Sequence, residues 1–180
     1  MSVVRLHPLP DIFAPSGSLI TVSRNECVAR FRRGDWSHLF FIDADIGFQP
    51  ETFWRLVTSG YDVSASAYPF KRDDMVEQGG FVVDSAELGP IGTDGFATIQ
   101  NAPTGFMCIA RGAIEKLAGA GIGRNEFFDT MRFDDEYLAE DHAFCKRWHD
   151  IGGEIHLDTR AILTHQGVKI YDKGRLMPTP

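Results

Sequence analysis

The chain has 180 residues, with 18 lysines and arginines against 25 aspartates and glutamates, a formal charge of −7, and 43% hydrophobic and 24% charged residues. These proportions suit one globular domain that buries its own core and exclude a disordered or collagen-like chain. The acidic balance excludes a nucleic-acid coat. The longest apolar run, around Leu39-Phe40-Phe41-Ile42, is far below the roughly 20 residues that span a bilayer, and Met1 to Asp11 holds no apolar signal core. A cytoplasmic protein without a transmembrane segment is expected. Cys27, Cys108 and Cys145 are odd in number and widely spaced, which argues against a disulfide framework or a structural zinc site and fits a reducing compartment.

Met1 to Gly17, with Pro8, Pro10 and Pro15, holds at most a short strand. Ser23-Arg24-Asn25-Glu26 reads as a capping box that opens a helix through Cys27, Val28 and Phe31, closed by Gly34 after Arg30, Arg32 and Arg33. His38 to Ile42 reads as a strand buried on both faces in a mostly parallel sheet. Pro50 suits the first turn of a helix that carries Phe53, Trp54 and Val57 and stops at Gly60. Asp62 to Tyr68 gives the next strand, so a βαβ unit places acidic residues at the carboxyl end of its first strand, where open α/β sheets bind ligands.

From Lys71 to Gln100, Gly-rich turns separate Phe81-Val82-Val83 from Phe96-Ala97-Thr98-Ile99, an antiparallel excursion suited to covering a site. Phe106 to Ala110 is again strand-like, and Gly112 to Ala118 is helical. Gly119 to Glu136 is a long polar and aromatic connection, of a length that usually serves function. Leu138 to Ile151 is an amphipathic helix with Phe144, Cys145, Trp148 and Ile151 on one stripe, Phe144 and Trp148 being core residues. Gly152-Gly153 ends it. Strands at Glu154 to Leu157 and Ala161 to Thr164 precede His165-Gln166-Gly167.

Asp43 and Asp45 lie two apart at a strand end, and like charges held together in a partly dry place call for a cation. Oxygen ligands favour Mg2+ or Mn2+, and an imidazole such as His165 tilts the choice toward Mn2+. The alternative is that these carboxylates cap the helix near Pro50 or line a solvated loop. Glu140-Asp141 at a helix start fits either ordinary dipole electrostatics or a general base. Arg24 and Asn25 suit a phosphate or a solvated first turn. Gly105, in Thr104-Gly105-Phe106, suits either close approach of a substrate or a tight turn.

The ordered set SLITVSRNECVARF, HLFFIDADIGFQPE, YPFK, TGFMCIARGAIEKL, FFDT, YLAEDHAFCKRWHDIGGEIHLD and LTHQG, from Ser18 to Gly167, resembles glycosyltransferases of the GT-A fold, in particular the family 2-like group with its D-x-D motif. The resemblance implies a three-layer, Rossmann-like α/β domain over residues 1–180, a nucleotide-sugar donor, a divalent metal on its diphosphate, and transfer to the hydroxyl of a glycan or other acceptor, with inversion. It places Asp43 near the ribose or the metal, Asp45 as the principal metal carboxylate, and His165 as the completing ligand. It makes Asp141 the acceptor-activating base with Glu140 beside it as a positioning or acceptor-binding residue. Arg24 and Asn25 border the nucleotide, Lys71 contacts phosphate, and Gly105 and Asp129 face the acceptor.

The same fold calls for a first strand and helix that wall the nucleobase, and too few residues precede Ser18 to supply both. An N-terminally short domain is therefore expected, with an uncovered apolar face that favours self-association into a homo-oligomer. Two other readings stand beside it: a non-catalytic GT-A domain that binds a glycan or partner chain, and a haloacid-dehalogenase-like phosphatase with Asp43 as nucleophile, against which Gly47 speaks.

Overall fold

A computed structural model of the chain describes residues 11–15, 17–72, 80–123, 126–167, 170–172 and 174. Its elements run α1 (Ile20–Arg33), β1 (His38–Ile42), β2 (Ile46–Phe48), α2 (Pro50–Val57), β3 (Val63–Ser66), a 3-10 turn (Ser85–Glu87), β4 (Phe96–Ile99), β5 (Phe106–Ala110), α3 (Arg111–Gly119), β6 (Met131–Phe133), β7 (Glu136–Leu138), α4 (Glu140–Asp150), β8 (Ile155–Asp158), β9 (Leu163–Gln166) and β10 (Ile170–Asp172). None of the described helices is long and apolar enough to cross a membrane.

Five strands pair in the order β1-β5-β3-β8-β4. β5 runs antiparallel to both neighbours, with Cys108 opposite Phe40 of β1 and Met107 opposite Ala65 of β3. β3 and β8 are parallel, Ala65 facing Leu157, and β4 is antiparallel to β8, Ala97 facing Leu157. The sheet is mixed, and the expectation of a mostly parallel one is corrected. β1, β3 and β8 share a direction, but β5 is inserted in reverse between the first two. A strand apolar on both faces satisfies its surroundings in either direction, so its residues do not encode which way it runs.

Alternation along β5 assigns the layers. Met107 and Ile109 join a core with Val28 and Phe31 of α1, Ile114 and Leu117 of α3, and Phe144 and Trp148 of α4. Phe106 and Cys108 point the other way, to Phe53 and Leu56 of α2. Helices therefore cover both faces, and each of these large side chains contributes about 1.5–3 kcal/mol by leaving water. Ile151, expected on the buried stripe of α4, is 37% exposed one residue past the helix end.

α1 begins at Ile20, ahead of the expected capping box, with Leu19 at its N-cap and no described side chain capping it. Ser23 lies inside the helix, its amide bonded to the Leu19 carbonyl at 3.1 Å, and Ser23, Arg24 and Asn25 are buried against the rest of the fold. Tertiary burial outweighs the local cap. The far end of α1 is satisfied from α3: Arg111 donates to the carbonyls of Phe31 at 3.1 Å and Gly34 at 2.9 Å.

Phe81 makes a single bridge to Pro69 where a strand was expected, and residues 73–79 of the same excursion lie outside the described ones, as do Met1 to Pro10 and Ser16. The long polar connection contains a hairpin of β6 and β7, turned at Asp134 with φ 53°. A second sheet, β10-β9-β2, pairs Ile46 with His165 in antiparallel register. This sheet carries one half of the site.

Candidate functional site

Beyond the carboxyl end of β1 the chain turns tightly. The Asp43 amide donates to the Gly105 carbonyl at 2.9 Å, and the Ile46 amide donates to the Asp43 carbonyl at 3.0 Å. β2 then pairs with β9, and the Gln166 amide donates to the Asp45 carbonyl at 2.7 Å. That register sets Asp45 beside His165, about 120 residues further along the chain.

His165 is oriented through its other nitrogen. Nδ1 lies 2.9 Å from the Pro69 carbonyl, which can only accept, so Nδ1 carries the hydrogen. In the neutral ring Nε2 then presents a lone pair, 3.7 Å from Asp45 Oδ1. The Tyr68 ring and the imidazole meet edge to face at 4.9 Å between centroids. Lys71 bonds the other Asp45 oxygen through its ammonium group. Burial pushes the Asp45 carboxyl up, but the hydrogen bond and charge of Lys71, with His165, outweigh it and hold Asp45 below the usual carboxylate range.

Asp43 looks elsewhere. Its Oδ1 accepts from Arg24 Nη2 at 3.3 Å, while Arg24 Nη1 donates to the Thr104 carbonyl at 3.4 Å and Nε lies 3.5 Å from Glu140 Oε1. Arg24 is 5% exposed, and its guanidinium also sits over the Phe41 ring at 5.3 Å. Arg24 thus bridges the turn after β1 and the start of α4, hydrogen-bonded through both Nη atoms and ion-paired with Glu140 through Nε, which has no hydrogen-bond partner of its own among the described residues. Asn25 acts likewise: its amide donates to Asp129 at 2.8 Å and accepts from the Phe128 amide at 3.0 Å, pinning the Phe127-Phe128-Asp129 segment to α1. Two residues expected to border a ligand are joined to other expected site residues.

Gly105 packs against the same cluster. A Cβ there would collide with the Tyr68 hydroxyl and come within 3.0 Å of Asp43 Oδ2. Tyr68 is buried, and burial raises its phenol far above the ordinary value, with the charges of Asp43 and Asp141 adding to the effect and Arg24 opposing it. It remains a proton donor. Asp141 stands half-buried in the first turn of α4, its Oδ1 accepting from the His142 amide at 2.8 Å. Tyr68 escaped the sequence reading because one aromatic at a strand end is indistinguishable from core.

Helix capping by the paired aspartates is excluded: Gln49 is the N-cap of α2, and both carboxylates are engaged elsewhere. Among the described residues no group of three or more His, Cys, Asp or Glu side chains gathers to hold a metal. Asp45 and His165 are a two-donor pair. A carboxylate with an oriented imidazole fits a divalent ion that draws its remaining ligands from water and phosphate oxygens, the usual habit of Mg2+ and Mn2+ beside a nucleotide.

No family model matches the chain, and no curated protein matches it. Among solved structures it is similar to A197 from STIV, with 15% identity over 91% of this chain and 81% of that one and a TM-score of 0.52. At that identity the two share a fold.

Proposed function

We propose that the chain is a metal-dependent, GT-A-like glycosyltransferase that moves a sugar from a nucleotide-diphosphate donor to an acceptor hydroxyl with inversion. The observation that carries the reading is the β2–β9 register, which seats His165 beside Asp45 at one end of the sheet.

Asp45 and His165 would hold the divalent ion, Mn2+ or Mg2+, with Asp43 contributing through the ribose side of the donor. When bound, such an ion offsets the charge of the diphosphate and of the departing nucleotide, which a protein of charge −7 would otherwise repel. Asp141 accepts the proton of the acceptor hydroxyl as the new glycosidic bond forms, assistance worth about 10²–10⁴ in rate. Glu140 is tied to Arg24, so Arg24 holds the start of α4 against Asp43 and keeps the base in line with the donor end. Tyr68, kept protonated, offers a hydroxyl donor between Asp43 and His165. Gly105 and Asp129 border the acceptor side.

The test is a thermal-shift screen of nucleotide sugars with and without Mn2+, followed by transfer assays on the hits. Stabilisation that needs both components, and that vanishes in His165→Gln, supports the reading. The glutamine amide can still donate to Pro69, but the ring lone pair is gone. Glycan binding with no response to any nucleotide sugar would return the chain to the non-catalytic alternative. Aryl-phosphate hydrolysis that disappears with Asp43→Asn would return it to the phosphatase.

A further inference from the structure

Asp45 already has a cation. The Lys71 ammonium bonds one carboxylate oxygen while His165 Nε2 faces the other, so the place where a divalent ion would lie is bordered by a positive charge of the chain itself. Lys71 and Asp45 side chains are 36% and 40% exposed, so solvent and ligands reach both. The backbone around them is held: the Phe70 amide donates to Gly80 at 3.4 Å, the Val82 amide donates to Tyr68 at 3.0 Å, and the Pro69 carbonyl anchors His165. The lysine side chain can therefore leave Asp45 without the segment moving. Arg24, a second cation nearby, is buried and engaged by Asp43, Glu140 and Thr104, and is not free to do so.

An ammonium and a divalent ion repel one another at contact distance, so they cannot share one carboxylate comfortably. We infer that Lys71 is an exchange cation: it neutralises Asp45 in the unloaded protein, is displaced when a divalent ion binds there, and turns its ammonium to an oxygen of the arriving diphosphate. This rests on Asp45 and His165 being the metal pair. Exchange makes metal and nucleotide help each other, because the diphosphate gives the displaced lysine a new partner, and such coupling acts equally in both directions.

The experiment measures Mn2+ affinity of the full chain from the electron paramagnetic resonance signal of the free ion, with and without UDP or GDP. The chains compared are the wild type, Lys71→Met and Asp45→Asn. Lys71→Met is expected to bind Mn2+ about tenfold more tightly than the wild type without nucleotide, since the competing charge is gone. The nucleotide should then tighten Mn2+ binding by a larger factor in the wild type than in Lys71→Met. Equal affinity of wild type and Lys71→Met without nucleotide, with binding abolished in Asp45→Asn, overturns the exchange and leaves the metal pair standing. Binding that persists unchanged in Asp45→Asn, or no binding to any chain, overturns both.

Discussion

Arg55 of α2 grips Asp158 at the end of β8 with two bonds of 2.8 Å, Nε to Oδ2 and Nη2 to Oδ1, across 103 residues of chain. The Asp158 side chain is fully buried and the Arg55 side chain is 34% exposed. The hydrogen bond that Arg55 donates to Asp158 raises the pKa of Arg55 above its ordinary value. The pair fastens α2 to the strand that carries the parallel part of the sheet. Asp158→Asn is expected to cost about 2 kcal/mol in urea unfolding, because one bond of the fork and the buried charge are lost together. Arg55→Lys should also destabilise, since a lysine cannot form two parallel bonds. Midpoints unchanged in both variants would show that the pair contributes nothing net.

Asp141 is predicted to act only in the chemical step. Asp141→Asn keeps the shape of the side chain and removes its capacity to take a proton, so transfer should fall by about 10²–10⁴. Metal-dependent nucleotide-sugar binding, measured by calorimetry, should stay within about twofold, since loss confined to the chemical step leaves the ground-state complex intact. Parallel loss of both would assign Asp141 to the donor.

Gly105→Ala tests the packing beneath the site. Gly105 is not among the glycines with positive φ, so the backbone tolerates a side chain and only space forbids it. The added methyl meets Tyr68 and Asp43, and overpacking of this kind costs about 1–3 kcal/mol. Unfolding should report that loss, and the variant should also respond less to Mn2+ and nucleotide. Full stability with full response would mean that the Tyr68 ring yields without consequence.

The pH prediction concerns Asp94. Tyr61 donates its phenol to Asp94 at 2.6 Å, and that bond, with the Phe96 amide at 3.1 Å, holds the carboxyl below its ordinary value. A depressed carboxylate releases its proton more readily in the folded chain than in the unfolded one. Its contribution to stability is therefore present above the ordinary aspartate pKa of about 3.9 and is lost as pH falls through the depressed value. In Tyr61→Phe, carbon-detected magnetic resonance should show Asp94 titrating at higher pH, and the difference in stability between the two chains should shrink below pH 4. An unmoved titration would assign the shift to the backbone amide alone.

Local pattern is enough to recover some elements. His38–Ile42 and Phe106–Ala110 are strands with the expected bounds, because a short apolar run between polar turns has few alternatives. α4 is legible from its stripe within two residues at its start and one at its end. β2 has no signature in the sequence, since Ile46-Gly47-Phe48 is too short to show alternation and exists by pairing with a strand far along the chain. The direction of β5 and the burial of Arg24 have the same cause: both depend on what surrounds the segment. Of the site, the chemistry-bearing residues were visible and their partners were not. Nothing in DAD or YPFK says that Asp43 meets Arg24 while Asp45 meets Lys71.

The β2–β9 pairing also sets a clock on synthesis. A ribosome adds about 5–20 residues per second, so a growing chain carries Asp45 for roughly 6–24 s before His165 has been made. β2 has no described partner strand until β9 emerges, and the imidazole arrives on that same strand. Nascent chains that hold the D-x-D turn thus lack the Asp45–His165 pairing until β9 is laid down, and any fragment that stops before β9 should expose Ile46.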